Sequence, residues 1–172
     1  MKSPRDEEVL FREVQHFHQL WIWAVIGLVA ALSFWGLIQQ VILGQPFGNN
    51  PASNEVIIII VIVIGCGLPA FFYFIRLITE VRRDGVYVRY FPFQFAAEKI
   101  GIDEIASFKV REYRAIKEFG GWGIRYSAQG KAYNVSGNRG VQLEFINGKQ
   151  LLIGSRRAED FARAIETAKA ER

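Results

Sequence analysis

The residues best suited to bind a charged ligand lie in one glycine-rich stretch, "FGGWGIRYSAQGKAYNVSGNRG", at residues 119–140. Arginine can fork onto the oxygens of a phosphate or carboxylate, and lysine can place a mobile point charge beside them. We therefore predict an anion-accepting surface, with aromatic side chains that pack against it or line it. Its candidate residues are Arg125, Lys131, Arg139, Trp122 and Tyr133. The alternative is structural: the glycines relieve turns, the aromatics fill the core, and Arg139 pairs with a carboxylate across a turn.

The same stretch does not match the phosphate-binding patterns G-x-x-x-x-G-K-[ST] or G-x-G-x-x-G. His16 and His18 are two residues apart, which would place them on different sides of a helix, and the chain has one cysteine and no other histidine. No Cys–His pair, triad order or carboxylate spacing indicates nucleophilic or acid–base catalysis. We therefore expect no catalytic residue, no cofactor and no metal site, and we expect that the protein is not an enzyme.

Two uncharged apolar blocks, at residues 21–38 and 56–75, precede this stretch. At about 1.5 Å per residue, helices of this length approach the roughly 30 Å thickness of the hydrocarbon core of a bilayer. A buried core element or a signal peptide would be the alternatives, but the blocks exceed an ordinary strand and the residues before the first one are rich in acidic side chains. We predict a transmembrane helix hairpin at residues 21–78, with spans at about 21–43 and 56–78.

The second apolar block contains three residues that interrupt a helix, Gly65, Gly67 and Pro69. We expect a kink or a close helix contact there, because lipid cannot satisfy the backbone groups that such residues free. Cys66 is the single cysteine, so no intrachain disulfide is possible, and we interpret it as a small packing residue.

The cations around the two blocks predict an orientation. The connector "GQPFGNNPASNE" has none, whereas both flanks do: Lys2, Arg5 and Arg12 before the first block, and Arg76, Arg82 and Arg83 after the second. By the positive-inside rule, both termini are cytoplasmic. The protein is then expected in the cell membrane as a two-span, multi-pass protein.

Residues 1–20 are predicted to form an amphipathic juxtamembrane segment. Leu10, Val14, Phe17 and Trp21 follow one another at i, i+4, i+7 and i+11, the stripe of a helix that enters the membrane interface.

Residues 79–172 alternate between short apolar runs and turn residues, a pattern typical of antiparallel strands. Asp84-Gly85, Gln129-Gly130 and Asn147-Gly148 each predict a hairpin turn. With a two-residue turn at Asn147-Gly148, Leu143 would lie opposite Leu152, although a bulge would change that register. A further strand carries Ile105, Phe108 and Val110.

The chain closes with a predicted amphipathic helix. Ser155 is the expected N-cap, and the apolar face consists of Phe161, Ala164, Ile165 and Ala168. The predicted fold class is therefore an α+β membrane protein, in which a two-helix hairpin precedes a small antiparallel sheet or partial barrel capped by a C-terminal helix.

Three segments resemble a known family: "EVQHFHQLW", "LITEVRRDGVYVRYFPF" and "REYRAIKEFGGWGIRYSAQGKAYNVSGNRGVQLEFINGKQLLIGS". They are similar to an uncharacterised family of two-span prokaryotic membrane proteins with a bacterial pleckstrin-homology-like (PH-like) domain. The likeness covers nearly the whole chain. It implies a cytoplasmic PH-like domain at residues 79–172, and it carries over no catalytic residue because the family has no assigned role.

Charge and tethering narrow the expected partners. Residues 105–139 hold seven Lys or Arg against two Asp or Glu, so the central segment is cationic and suits an anionic membrane face. Nucleic acid is not expected as a partner. We predict a membrane-anchored, non-catalytic interaction module that binds a protein, a peptide or an anionic lipid headgroup, with membrane lipids, a protein or a second copy of the chain as partners. The alternative is an accessory subunit of a membrane complex or transporter, although neither block carries the ionisable residue that transport usually requires.

Overall fold

The computed structural model describes residues 8–128 and 130–171. The chain divides into two compact units. His18–Phe74 form a helical unit, and Met1–Phe17 with Ile75–Arg172 form the second unit, here called the sheet domain.

Two helices make up the helical unit, and each is long and apolar enough to cross a membrane. The first covers Leu20–Ile42, 23 residues with a mean hydropathy of 2.1, and the second covers Asn54–Phe74, 21 residues with a mean hydropathy of 2.8. Their segments are α1 (Leu20–Gly36) followed by a π-helical turn (Leu37–Ile42), and then α2 (Asn54–Ile60), a second π-helical turn (Val61–Gly67) and α3 (Leu68–Phe74).

The second helix has the irregularity and the close contact that its glycines predict. Its π-helical turn ends at Gly67, and Gly65 lies against the first helix. A Cβ atom added at Gly65 would lie 2.9 Å from Ser33 Oγ and 3.2 Å from the ring of Phe34. A larger residue at position 65 would therefore push the two helices apart.

The sheet domain contains two sheets and a C-terminal helix. The first sheet is antiparallel, with the order β1-β2-β3-β4, and the second has the order β5-β8-β9-β7-β6, with β7 and β9 parallel. The strands are β1 (Val9–His16), β2 (Arg76–Arg82), β3 (Gly85–Phe91), β4 (Glu98–Gly101), β5 (Ile105–Glu112), β6 (Gly123–Ser127), β7 (Gly130–Asn134), β8 (Arg139–Phe145) and β9 (Gln150–Gly154). Among the described residues, two α-helices and one short 3₁₀ helix complete the domain: α4 (Ala115–Phe119), α5 (Ala158–Ala170) and the 3₁₀ helix Ile102–Glu104.

The predicted amphipathic helix at the N-terminus is wrong, because residues 9–16 form β1 and pair with β2. Every second residue of β1 is buried, namely Phe11, Glu13 and Gln15, so the burial pattern has the two-residue period of a strand. Since two of the three inward side chains are polar, hydropathy does not reveal this alternation. The second apolar helix likewise ends at Phe74 and not at residue 78, because the chain from Arg76 onward pairs in β2.

The β2–β3 hairpin forms as predicted, but its turn lies one residue earlier. Arg82 pairs with Gly85, so Arg83 and Asp84 form the turn and Gly85 begins β3. A Cβ atom at Gly85 would lie 2.5 Å from the carbonyl oxygen of Ile100. The glycine is therefore required by the close approach of β4 and not by the turn.

The β8–β9 hairpin also forms, and its register differs from the two-residue expectation. Leu143 lies opposite Leu151 and not Leu152. The amide of Phe145 donates to the carbonyl of Lys149 at 2.9 Å, which leaves three residues in the loop. Gly148 takes a φ of 77°, a left-handed conformation that closes this longer loop. The β6–β7 hairpin forms as well. Gln129, one of the two residues of its predicted turn, lies outside the described residues.

Helix α5 buries the predicted apolar face in the core of the sheet domain. Phe161, Ala164, Ile165 and Ala168 are all buried, and the ring of Phe161 stacks on that of Phe11 with 5.3 Å between centroids. The N-cap is Arg157 and not Ser155, whose hydroxyl instead accepts a hydrogen bond from the amide of Arg157 at 3.0 Å. The domain is thus an α+β assembly of two sheets and one covering helix.

Candidate functional site

The β6–β7 hairpin carries most of the predicted binding residues, but it separates them. Cross-strand partners in a sheet point to the same face. Lys131 is opposite Tyr126, and Arg125 is opposite Ala132, the neighbour of Lys131 in the chain. Because successive residues of a strand face opposite sides, Arg125 lies on the other face of the hairpin from Lys131 and Tyr133. The five candidates therefore do not form one continuous surface.

Lys131 and Tyr133 converge on a carboxylate of the other sheet. Lys131 Nζ donates to Glu98 Oε2 at 2.7 Å and to Oε1 at 3.1 Å, and the hydroxyl of Tyr133 donates to Oε2 at 2.6 Å. The ammonium group lies 4.6 Å from the centre of the Tyr133 ring. Gln94 completes the network by donating from Nε2 to the Tyr133 hydroxyl at 3.0 Å. These four side chains form a fixed polar cluster, here called the Glu98 cluster.

The electrostatics of this cluster favour the ion pair. Burial on its own raises the pKa of Glu98, but the hydrogen bonds from Lys131 and Tyr133 outweigh it and lower that pKa below its ordinary value. Burial on its own lowers the pKa of Lys131, and the hydrogen bond with Glu98 outweighs it and raises the pKa. Burial and the same carboxylate raise the pKa of the Tyr133 hydroxyl. Near neutral pH the cluster therefore holds a carboxylate, an ammonium and a neutral phenol.

An open groove of about 870 Å³ lies beside the Glu98 cluster, between the loop ends of the β6–β7 and β8–β9 hairpins. Its lining combines ionic and apolar side chains: Glu98, Lys131, Lys149, Tyr126, Phe145 and Leu151. Tyr126 is 75% exposed at the edge, whereas Leu151 is buried at the base. The groove thus offers an apolar base, an aromatic edge and a charged wall.

Trp122 and Arg125 lie away from this groove. Trp122 packs on a buried cluster that includes Tyr113, Phe119 and Leu152, so its ring is a structural element on the side of the sheet that α4 covers. Arg125 is exposed, and its Nε donates to the carbonyl oxygen of Trp122 at 2.9 Å.

Arg139 pairs with a carboxylate of the same chain, which is the structural alternative stated in the sequence analysis. Its guanidinium forms an ion pair with Glu159 in the first turn of α5. Both side chains are about half exposed, so the pair contributes little to stability, on the order of 0–1 kcal/mol. The pair does occupy the guanidinium, which makes Arg139 a weak anchor for an outside anion.

Sequence reasoning missed Glu98 and Gln94. They lie 33 and 39 residues before their partners Lys131 and Tyr133, and no local spacing connects them. A usable signal was the single acidic residue, Glu98, that opens the short strand β4 in a cationic domain, because such a carboxylate needs a cationic partner if it is partly buried.

The described residues show no cluster that resembles a metal centre. Among residues 8–128 and 130–171, no three His, Cys, Asp or Glu side chains come together in a way that could hold a metal ion.

Comparison with curated proteins gives no significant match. In contrast, residues 1–171 match the sequence profile of DUF6141, which is described as a family of unknown function. The match includes the strand before the helices, both apolar helices and the rest of the sheet domain. The chain therefore belongs to the DUF6141 family.

Proposed function

We propose that the protein is a membrane-anchored, non-catalytic interaction module whose sheet domain binds a polypeptide segment at the inner face of a prokaryotic cell membrane. The observation that carries this proposal is the open groove beside the Glu98 cluster. Its mixture of an apolar base, an aromatic edge and fixed charges suits a peptide better than it suits a small apolar molecule.

Membrane anchoring is supported by the two apolar helices of 23 and 21 residues. The absence of Lys and Arg from the connector between them supports a topology with both termini in the cytoplasm. A reporter that is active only outside the cytoplasm, such as alkaline phosphatase, should be silent when it is fused after Arg172. Activity of that fusion would contradict the topology.

The architecture of the sheet domain fits the PH-like fold that the sequence resemblance implies. Two sheets and one C-terminal helix that buries its apolar face are the features in common. Strand β1 is an addition, because residues before the two helices supply it.

A polypeptide is favoured over an anionic headgroup because two of the three candidate cations, Lys131 and Arg139, already hold carboxylates, and the third, Arg125, lies away from the groove. A phosphate that approached Lys131 would have to replace Glu98, and one that approached Arg139 would have to replace Glu159. Lys149 is exposed at the edge of the groove and has room to pair with an acidic side chain of a ligand. We therefore expect a ligand segment with an apolar or aromatic side chain next to a carboxylate.

A photocrosslinking amino acid at Tyr126 tests this in cells that produce the full-length protein. The matched control is the same amino acid at Ile116, which is 63% exposed and lies on α4 outside the groove. Crosslinks should form from position 126 and not from position 116, and they should map to a single segment of one protein. That protein can be a second copy of this chain. That segment, made as a synthetic peptide, should bind the purified wild-type protein and lose affinity by at least about fivefold for Tyr126→Ala, as expected for an aromatic anchor.

Two outcomes would overturn the proposed ligand. Crosslinks to lipid alone would show that the groove binds a lipid headgroup and not a polypeptide. Equal crosslinking from positions 126 and 116 would show that the groove is not a specific site.

A further inference from the structure

The loop between β3 and β4 exposes two phenylalanine rings. Phe95 is 83% exposed and Phe93 is 60% exposed, within residues 92–97. Neither ring lines the groove, and the ring of Phe93 contacts that of the buried Tyr90 with 5.8 Å between centroids. Large exposed aromatic side chains of this kind mark a surface that a membrane or another protein covers.

Gln94 holds this loop in a defined conformation. Its amide donates to the carbonyl of Tyr90 at 2.8 Å, and its Oε1 accepts from the amide of Tyr90 at 3.1 Å. Its Nε2 donates to the hydroxyl of Tyr133 at 3.0 Å. Because Gln94 is anchored to the domain on both sides, the residues on either side of it, Phe93 and Phe95, are presented outward with little conformational entropy left to lose on binding.

The position of the loop along the strands indicates what covers it. Phe91, the last residue of β3, pairs with Arg76, the first residue of β2, and Arg76 pairs with His16, the last residue of β1. In the chain, Arg76 follows the end of α3 at Phe74 by two residues, a reach of at most about 7 Å. By connectivity alone, the loop therefore leaves the sheet at the end where the chain enters and leaves the apolar helices.

The neighbouring side chains suit a headgroup layer. The guanidinium of Arg76 is exposed and lies 5.1 Å from the centre of the Phe91 ring. A cation beside aromatic rings is the combination that binds the anionic, interfacial layer of a bilayer, where each cation contributes about 1 kcal/mol and each buried ring adds an apolar contribution.

We propose that residues 92–97 form an interfacial wedge, with the rings of Phe93 and Phe95 seated at the boundary between headgroups and acyl chains of the same bilayer that the helices cross. This inference rests on the membrane anchoring in the proposed function. It adds a third attachment of the chain to the membrane.

Fluorescence quenching in a bilayer tests the wedge with the full-length protein. An environment-sensitive fluorophore is attached to Phe95→Cys in a Cys66→Ser background, and the protein is reconstituted into vesicles of anionic lipid that contain nitroxide-labelled lipid. The matched control is Ile146→Cys, since Ile146 is 74% exposed and its amide donates to the carbonyl of Glu104, near the opposite end of the first sheet. That end, marked by Gly85 in β3, is about 20 Å from Phe91 along the strand.

Label on the native Cys66, which is exposed in the second apolar helix, reports membrane anchoring itself. We expect strong quenching at position 66 and quenching at position 95 that exceeds that at position 146 by at least about twofold, as expected for a site within the interfacial layer. Quenching at 66 without quenching at 95 would overturn the wedge and leave the anchoring intact. No quenching at 66 would overturn the anchoring and the wedge with it. Equal quenching at 95 and 146 would also overturn the wedge, because contact would not be specific to the loop.

Discussion

The carboxylate of Glu13 accepts a hydrogen bond from the hydroxyl of Ser155 at 2.6 Å, across 142 residues of sequence. Its other oxygen accepts from the amide of Arg156 at 3.1 Å, next to the start of α5. Glu13 is 8% exposed and Ser155 is 2% exposed, so the bond between them is shielded from water. The strand that precedes the apolar helices is therefore joined to the C-terminal helix of the sheet domain through a buried carboxylate.

Glu13→Ala should destabilise the sheet domain by about 1–3 kcal/mol, because it leaves the buried Ser155 hydroxyl without its acceptor and removes the acceptor of the partly buried Arg156 amide. Urea unfolding of the full-length protein in mild detergent, followed by circular dichroism, measures the change. The control is Arg12→Ala on the exposed face of the same strand. The Arg12 side chain is exposed, and Glu80 keeps its pair with Arg82 when Arg12 is removed, so the expected change is within about 1 kcal/mol. Equal effects of the two substitutions would show that the buried carboxylate has no special role.

The sheet domain should not fold from residues 79–172 alone. That fragment lacks β1 and the first three residues of β2, so it leaves a long edge of the first sheet unpaired and removes Phe11 from its stacked position on Phe161. Because His16 and Arg76 are paired neighbours, a short Gly/Ser linker can replace the helical unit between Phe17 and Ile75. The linked protein, residues 8–17 joined to 75–172, should be a soluble monomer with a cooperative unfolding transition.

The matched control is residues 75–172 without the N-terminal segment. It should aggregate or unfold without a clear transition, as judged by size-exclusion chromatography and thermal denaturation. A control fragment as stable as the linked protein would mean that β1 is dispensable.

The parts of this fold that sequence could predict are those with a clear hydropathy pattern. The apolar face of α5 follows from its helical spacing, since Phe161 and Ile165 are apolar and buried together, and the two long helices follow from the length of their uncharged apolar runs. Strand β1 escaped prediction because its inward residues include Glu13 and Gln15, whose partners lie at the other end of the chain. The Glu98 cluster escaped for the same reason, because a carboxylate in β4 and a lysine in β7 share no local pattern.

The stability of the sheet domain should fall in acid, in part through Glu98. The folded state lowers the pKa of this carboxylate, so its contribution is fully present above the unfolded-state pKa, about 4.3, and is lost as the pH falls through the lower folded-state pKa. Glu98→Gln cannot titrate and should make the free energy of unfolding less dependent on pH between about pH 3 and pH 5. Urea titrations of both proteins across this range measure the two slopes, and parallel slopes would contradict the assignment.

Reversing the charge of Lys131 should destabilise the domain more than reversing the charge of Arg139. Lys131→Glu places a carboxylate beside Glu98 and the Tyr133 hydroxyl in a partly buried cluster, and the expected loss is about 1–3 kcal/mol. Arg139→Glu removes a solvated pair with Glu159, and the expected loss is within about 1 kcal/mol. The double variant Glu98→Lys with Lys131→Glu restores opposite charges and should recover part of the loss, because the two substitutions share one interaction. If the double variant were as unstable as the sum of its two single variants, the ion pair would not be the interaction that holds β4 to β7.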